Sequence, residues 1–230
     1  MLSINRAVEI KSSMEWLKLS FVTFREKPLQ FIILGIVSSI IGLIPGFGAF
    51  LTPLFNAKFA QLTARVERNQ PVLMSMLFEN LFANKNVVRL AFINLCIATI
   101  IFTLQYFVEN YLGGISLDSS SAAADAITIH GSLTTLLYVI PMMILQLSMW
   151  MSPLICLYNQ DISPFQAMWL SIKACGVNIV TMLFYSLLVL FFSILAIIPF
   201  GLGLFIWLPM LNIVSYFIYK SLFVYSRTII

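Results

Sequence analysis

Long apolar stretches alternate with short polar stretches along the whole chain. Six of them are predicted as transmembrane helices, at 29–43, 47–66, 87–107, 133–158, 179–200 and 202–225. A hydrocarbon core about 30 Å thick requires roughly 20 mostly apolar residues per helical span. The stretches are continuous and lack strand-like alternation, which argues for helices over a membrane barrel. The pattern therefore predicts an all-α polytopic membrane protein with six transmembrane helices.

An amphipathic segment followed by two apolar spans occurs three times. The units are predicted at about 11–66, 71–158 and 163–226, within a single membrane domain 1–230. The third unit repeats key residues of the first, pairing Trp16-Leu17 with Trp169-Leu170, Ile44-Pro45 with Ile198-Pro199, Gly46 and Gly48 with Gly201 and Gly203, Pro53 with Pro209, and Asn56 with Asn212. Because an even number of spans separates equivalent units, we expect parallel repeats around an axis along the membrane normal.

Each unit opens with a segment too polar to cross a bilayer. In the first, the predicted apolar stripe is Met14, Leu17, Phe21 and Phe24, and Trp16 falls off it. In the third, Ser163-Pro164 followed by Gln166 predicts a capped helix start, and the predicted stripe is Phe165, Met168, Trp169 and Ile172. The second unit shows the pattern more faintly. We expect helices lying in the cytoplasmic interface, with Trp16 and Trp169 as interfacial anchors. The alternative is a plain juxtamembrane helix packed on the bundle.

Composition and charge agree with a membrane protein. The chain is 60% hydrophobic and 10% charged, with a mean hydropathy of +0.98, far from the soluble average. Of the 13 Lys and Arg residues, all but Lys58 lie on one predicted side, and the acidic loop 108–132 has none. The positive-inside rule then predicts cytoplasmic termini and a periplasmic loop 108–132. The stretch 116–125 is predicted to be flexible. The positive net charge follows this rule, so no nucleic-acid partner is expected.

The amphipathic opener with Trp16, the paired Pro/Gly connections and the block 163–203 resemble a group of bacterial six-helix inner-membrane proteins. That group includes the uncharacterised YciC-like family and the membrane domain attached to some glycerophosphodiester phosphodiesterases. The resemblance implies a bacterial inner-membrane protein without an assigned activity. The soluble phosphodiesterase domain is absent from this sequence, so the resemblance carries over no catalytic residues.

Residues suited to chemistry are sparse. His130 is the single histidine, and Cys96, Cys156 and Cys175 form no close pair. The sequence has no nucleophile elbow, zinc-protease helix or phosphate-binding glycine loop. We therefore expect no enzyme activity and no cofactor.

The fourth span is rich in sulfur. Met142, Met149 and Cys156 share a helical face at seven-residue spacing, and such ligands suit Cu(I). Seven residues of helix rise about 10 Å, too far for neighbours in that row to hold one ion. Core packing is the favoured interpretation, and copper binding the weaker alternative.

Asparagines at membrane depth are the best candidates for a site. Asn56 and Asn212 each follow a proline, Pro53 or Pro209, by three residues at equivalent repeat positions. Paired interrupted helices point to a central site in repeat-built transporters. The alternative is hydrogen bonding between helices that locks the units together, which is the interpretation we favour. Lys58 is expected to extend toward the cytoplasmic face.

Three functions remain open at this point. The first is a non-catalytic inner-membrane accessory protein that associates with lipids or with a larger membrane complex. The second is a small passive transporter or lipid-handling protein with a site between the repeats. The third is a Cu(I)-handling accessory protein.

Overall fold

The structure is a computed structural model that describes residues 2–4, 8–44, 46–107, 110 and 121–225. For residues 2–3, 121–138 and 224–225 it describes the backbone alone. The predicted features at Pro45, at the His130 side chain and over 116–120 lie outside what is described.

The described architecture is all-α apart from a short ribbon formed by the chain ends. Its elements in order are β1 (Leu2–Ile4), α1 (Ser12–Glu26), α2 (Pro28–Gly42), α3 (Phe47–Glu67), a 3₁₀ helix (Met74–Leu77), α4 (Lys85–Phe107), α5 (Ser121–Tyr158), α6 (Pro164–Val177), α7 (Ile179–Ile197), α8 (Leu204–Leu222) and β2 (Phe223–Tyr225).

In the part of the chain that the structure describes, four helices are long and apolar enough to cross a membrane. They are α4, residues Val139–Tyr158 of α5, α7 and α8. The helix α2 is apolar but has only 15 residues. The helix α3 has 21 residues and carries Asn56, Lys58 and Gln61 within its apolar sequence, which lowers its hydropathy. These two helices correspond to the first two predicted spans.

The centre of the bundle is formed by α3, α5 and α8, which pack pairwise against one another. Large side chains from these helices are fully buried, among them Phe59, Leu154 and Ile213. The helices α2 and α4 pack against this centre, α1 packs on α8, and α6 packs on α5. Burial of apolar surface therefore concentrates in the three central helices.

Several element ends differ from the predicted ones. The helix α5 begins at Ser121, so residues 121–125, which were expected to be part of a flexible loop, are helical. The predicted last span continues to residue 225, whereas α8 ends at Leu222. Residues Phe223–Tyr225 instead pair antiparallel with Leu2–Ile4, in the register Leu2 with Tyr225 and Ile4 with Phe223. The aromatic and β-branched residues of Phe223–Tyr225 favour a strand, but a hydropathy pattern cannot distinguish such a strand from the end of an apolar helix.

Candidate functional site

The two asparagines singled out by the repeat lie in the central helices. Asn56 in α3 and Asn212 in α8 are partly exposed, and each follows a buried proline, Pro53 or Pro209. The Asn212 side-chain amide donates to the backbone carbonyl of Leu208 in its own helix, at 3.0 Å. Among the described residues no hydrogen bond joins Asn56 to Asn212. The Asn212 bond therefore lies within α8 and does not itself join two units.

Pro209 of α8 lies directly against Gly35 of α2. A Cβ atom built on Gly35 would lie 2.5 Å from Pro209 Cγ, closer than real Cβ contacts allow. Glycine at position 35 therefore lets the proline ring of α8 pack directly on the α2 backbone. Pro209 therefore packs against α2 here, and it also lacks the backbone N–H that would donate a hydrogen bond within α8.

An apolar cleft of about 350 Å³ lies beside this crossing, between α2 and α8. Its lining residues are Gly35, Ile36, Ser39, Ile40, Gly201, Leu204, Phe205, Leu208 and Pro209. Asn212 follows Leu208 by one helical turn and lies on the same face of α8. We call this the α2–α8 cleft. The α2–α8 cleft has apolar walls and the side-chain amide of Asn212 nearby. Such a combination is typical of a site for an apolar ligand that carries a small polar group.

The helix α6 exposes part of its apolar stripe, since Phe165 and Trp169 are exposed whereas Met168 and Ile172 are partly buried. Its start has the predicted capping box, in which the Ser163 hydroxyl accepts from the Gln166 backbone amide, and Gln166 Oε1 accepts from the Ser163 amide. Phe165 and Trp169 are 66% and 65% exposed. The packed face consists of small side chains, namely Pro164, Ala167, Ser171, Ala174 and Cys175. This exposure is what an interfacial helix requires.

The apolar stripe of α6 also borders a groove. A cavity of about 490 Å³ is lined by Ile97, Ile101, Pro141, Ile144, Leu145, Ser148, Phe165, Met168, Trp169 and Ile172, from α4, α5 and α6. Nearly all these side chains are apolar, so the groove suits hydrocarbon.

The environment of Trp16 differs from that of Trp169. Trp16 is 2% exposed, its indole Nε1 donates to Ser221 Oγ at 2.8 Å, and its ring meets Tyr185 edge-on. An interfacial anchor needs its ring in the headgroup region. Trp16 is instead a core side chain that attaches α1 to α7 and α8, which corrects its expected role.

The stripe predicted for α1 is divided between the core and the surface. Leu17 and Phe24 are buried, whereas Met14 and Phe21 are 41% and 47% exposed. The Arg25 guanidinium lies 5.8 Å from the centroid of the exposed Phe21 ring. The packed face of α1 is therefore rotated away from the predicted one, toward Trp16 and Ser20.

Lys58 extends to the segment between α3 and α4 and is buried against it. Its residue is 7% exposed, and its ammonium donates to the backbone carbonyl of Glu79 at 2.8 Å. A buried ammonium needs such an acceptor. The segment between α3 and α4 supplies this acceptor and so covers the lysine.

Three tyrosine rings meet where α3, α5 and α8 end. Tyr158 stacks on Tyr219 with ring centroids 5.5 Å apart, and lies 6.3 Å from Tyr216. The Tyr158 hydroxyl donates to the carbonyl of Ala60 at 3.2 Å, and the Asn159 amide donates to the Tyr219 hydroxyl at 3.0 Å. These contacts hold the rings in fixed positions relative to one another.

The rings form one wall of an open cavity of about 330 Å³, here called the tyrosine pocket. Its lining residues are Glu67, Arg68, Tyr158, Tyr216, Tyr219 and Lys220. The sequence did not predict this site, because its charged and tyrosine residues lie at the ends of the predicted spans and not within them. The sequence feature that could have indicated the pocket is tyrosine next to charged residues at the ends of spans. The same pattern occurs in the aromatic belt of membrane proteins in general, so it does not single out a site.

Glu67 is the charged centre of the tyrosine pocket. Its Oε1 accepts from the Lys220 ammonium, and its Oε2 accepts from the Tyr216 hydroxyl at 2.8 Å. Burial raises the pKa of the Glu67 carboxyl, but the hydrogen bonds from Lys220 and Tyr216 outweigh it and hold this pKa below its usual range. Glu67 is therefore ionised at neutral pH and couples the end of α3 to α8.

The sulfur residues of α5 are mostly packed. Cys156 is fully buried, Met149 is 7% exposed, and Met142 is half-buried. Met151, on another face of the helix, is fully buried as well. Burial of sulfur on both faces fits packing of α5 at the centre of the bundle.

Comparison with known proteins adds no relative. No protein-family model matches the chain, no curated protein matches it, and no solved structure matches it.

Proposed function

We propose that the protein is a non-catalytic accessory protein of the bacterial inner membrane. In this proposal it crosses the bilayer six times as three repeat units and associates with membrane lipids or with a larger membrane complex. No enzyme activity and no cofactor are part of the proposal. The sequence resemblance to YciC-like membrane proteins supports the same location.

The observation that carries the proposal is the outward surface of α7. Only 17% of the most apolar stretch of α7 is buried inside the protein, and the mean hydropathy of that stretch is 2.5. Leu183, Leu187, Leu190 and Ile194 are each more than half exposed. So much exposed hydrocarbon on a single helix needs lipid or a partner helix to cover it.

Packing between the units supports the three-unit arrangement. The helix α6 opens the third unit and packs on α5 of the second, while α1 opens the first unit and packs on α8 of the third. The 3₁₀ helix, near the start of the second unit, packs on α2 of the first. Each opening segment thus contacts the preceding unit in cyclic order, as a rotational axis through the bundle would require.

The buried faces of α1 and α6 support the same arrangement with a different alignment. Buried Trp16, Ser20 and Phe24 correspond to buried Ala167, Ser171 and Cys175, an offset of 151 residues. The starts of α2 and α7, at Pro28 and Ile179, have the same offset. Because α7 has four more residues than α2, about one helical turn, the later pair Gly46 and Gly201 has an offset of 155.

The connections between paired helices are also alike. Gly46 and Gly201 have φ angles of 79° and 78°, which favour glycine. A Cβ atom on Gly48 would lie 2.7 Å from the carbonyl oxygen of Gly42, and one on Gly203 would lie 2.7 Å from that of Ala196. Equivalent glycines therefore close the α2–α3 and α7–α8 connections in the same way.

The α2–α8 cleft favours a second candidate function, lipid handling between the units. Its apolar walls suit an acyl chain, and Asn212 supplies a hydrogen-bonding group beside it. The cleft lies between the first and third units, where the sequence predicted a site. Replacing both asparagines, as in Asn56→Leu with Asn212→Leu, tests this candidate. Unchanged lipid binding in that variant would eliminate it.

A pull-down at native expression tests the leading proposal. The protein is extracted gently in digitonin, and mass spectrometry identifies the proteins and lipids that accompany it. A reproducible stoichiometric subunit or lipid set is the expected result. Recovery of the protein alone, or in the soluble fraction, would contradict the proposal.

A further inference from the structure

We infer that the tyrosine pocket binds the phosphodiester group of an anionic phospholipid. This inference rests on the proposed membrane location, and it names one lipid class and one site within it.

The charges of the tyrosine pocket match a singly charged anion. Both carboxylate oxygens of Glu67 are already occupied, one by Lys220 and one by Tyr216. Two cations, Arg68 and Lys220, and one carboxylate leave one net positive charge. A phosphodiester carries one negative charge, whereas inorganic phosphate carries roughly 1.5 at neutral pH. The described lining residues include no further carboxylate that could hold an ammonium, so a zwitterionic headgroup gains less binding energy than an anionic one.

Hydrogen-bond donors for a phosphate come from two elements, Arg68 at the end of α3 and Lys220 in α8. In the described residues, the Arg68 guanidinium makes no hydrogen bond or ion pair, and Arg68 is exposed at the end of α3. The Lys220 ammonium has three hydrogens, and its bond to Glu67 uses one of them. Guanidinium and ammonium donors to a phosphate oxygen form the stronger, charge-assisted class of hydrogen bond.

The location of the pocket points to a lipid as the source of the phosphodiester. It lies where the three central helices end, on the side that carries the basic residues. Tyrosine rings with apolar bodies and polar tips are typical of the headgroup layer. The Lys220 ammonium lies 5.7 Å from the Tyr216 ring centroid, which orients it along the pocket wall. A headgroup in this layer would meet both cations without leaving the membrane surface.

The test compares ligands on the purified full chain in detergent. Native mass spectrometry measures the binding of phosphatidylglycerol and of phosphatidylcholine with identical acyl chains, and calorimetry measures inorganic phosphate. We expect one site with at least about fivefold preference for phosphatidylglycerol, and Arg68→Gln should weaken that binding about tenfold. Arg65→Gln is the matched control, because Arg65 carries the same charge one turn earlier in α3 and does not line the pocket. It should change binding less than twofold.

Each other result would overturn the inference. Equal binding of both lipids would remove selection by charge, and tight binding of inorganic phosphate that displaces the lipid would point to a soluble ligand. Equal losses in Arg65→Gln and Arg68→Gln would indicate diffuse attraction instead of a site. A protein that stays in the membrane fraction with its partners but shows none of this selectivity would refute this inference alone. Loss from the membrane fraction would refute the proposed function.

Discussion

At the scale of single residues, Trp16 and Trp169 show how far one side chain's role depends on its neighbours. Both open an amphipathic helix with the same Trp-Leu pair. Trp16 is buried against Tyr185 and bonded to Ser221, whereas Trp169 is 65% exposed. The buried faces of α1 and α6 align at an offset of 151 residues, two fewer than the Trp-Leu pairs. Two residues rotate a helix position by about 200°, which places the two indoles on opposite faces.

Replacing each tryptophan by alanine should separate these roles. Trp16→Ala should destabilise the protein by about 3–5 kcal/mol, because it opens a core cavity and removes a hydrogen bond. Trp169→Ala should change the free energy of unfolding by less than about 0.5 kcal/mol. Equilibrium unfolding in mixed detergent micelles measures both. Similar losses in the two variants would contradict the different burial of the two rings.

Gly35 offers a second test at residue scale. Gly35→Ala should destabilise by about 1–3 kcal/mol, since the added methyl would overlap the Pro209 ring. Gly176→Ala is the control, because a Cβ atom there meets nothing within 4 Å and alanine favours a helix. Thermal unfolding of the two variants should therefore move in opposite directions. A neutral Gly35→Ala variant would show that α2 and α8 are less closely packed.

At the scale of elements, the end of α3 is attached to α8 through one carboxylate. Glu67 accepts from Lys220 and Tyr216, which lie one turn apart on the same face of α8. The bond fixes the relative rotation of two central helices at the basic end of the bundle. It also makes their packing depend on the ionisation of Glu67.

Acidification should weaken this attachment. The pKa of Glu67 in the folded protein is depressed below its ordinary value of 4.5, so its contribution to stability is present above that pH. The contribution is lost as the pH falls through the folded-state pKa. Glu67→Gln should cost about 1 kcal/mol at pH 7 and remove this part of the acid dependence. Unfolding measured from pH 7 to pH 3 checks both effects.

The control for Glu67 is Glu15→Gln. Glu15 is exposed on α1, and its carboxylate makes no hydrogen bond or ion pair with the described residues. This variant should keep the acid dependence of the original protein. If both variants lose the same stability at pH 7, the Glu67 bonds are not responsible.

At the scale of the whole molecule, the first and last described segments meet, and the central helices are shared among the proposed units. The strand Leu2–Ile4 pairs with Phe223–Tyr225, so both ends of the described chain lie at one end of α8. Both four and six transmembrane spans are compatible with this pairing, because an even number of spans returns the chain to the side of the membrane on which it began. The position of the α2–α3 connection distinguishes them.

Cysteine labelling locates that connection. In a background with the three native cysteines replaced by alanine, Phe47→Cys and Leu202→Cys report on equivalent exposed positions beside the α2–α3 and α7–α8 connections. With six spans, an impermeant maleimide should label both from the side opposite the chain ends. Lys18→Cys is the control and should be labelled from the other side. If Phe47→Cys is instead labelled from the same side as Lys18→Cys, then α2 and α3 do not cross the membrane.

The sequence by itself determined the membrane class, the position of most helices and the capped start of α6. Hydropathy and capping are local, so stretches of about 20 apolar residues and the Ser163–Gln166 pair suffice to predict them. Tertiary structure alone decided the burial of Trp16 and Lys58, the contact of Pro209 with Gly35, and the tyrosine pocket. Each of these joins residues that are distant in sequence, as Glu67 and Lys220 are. In a chain where almost every helix face is apolar, periodicity cannot distinguish a face that meets lipid from one that meets protein, and only packing separates them.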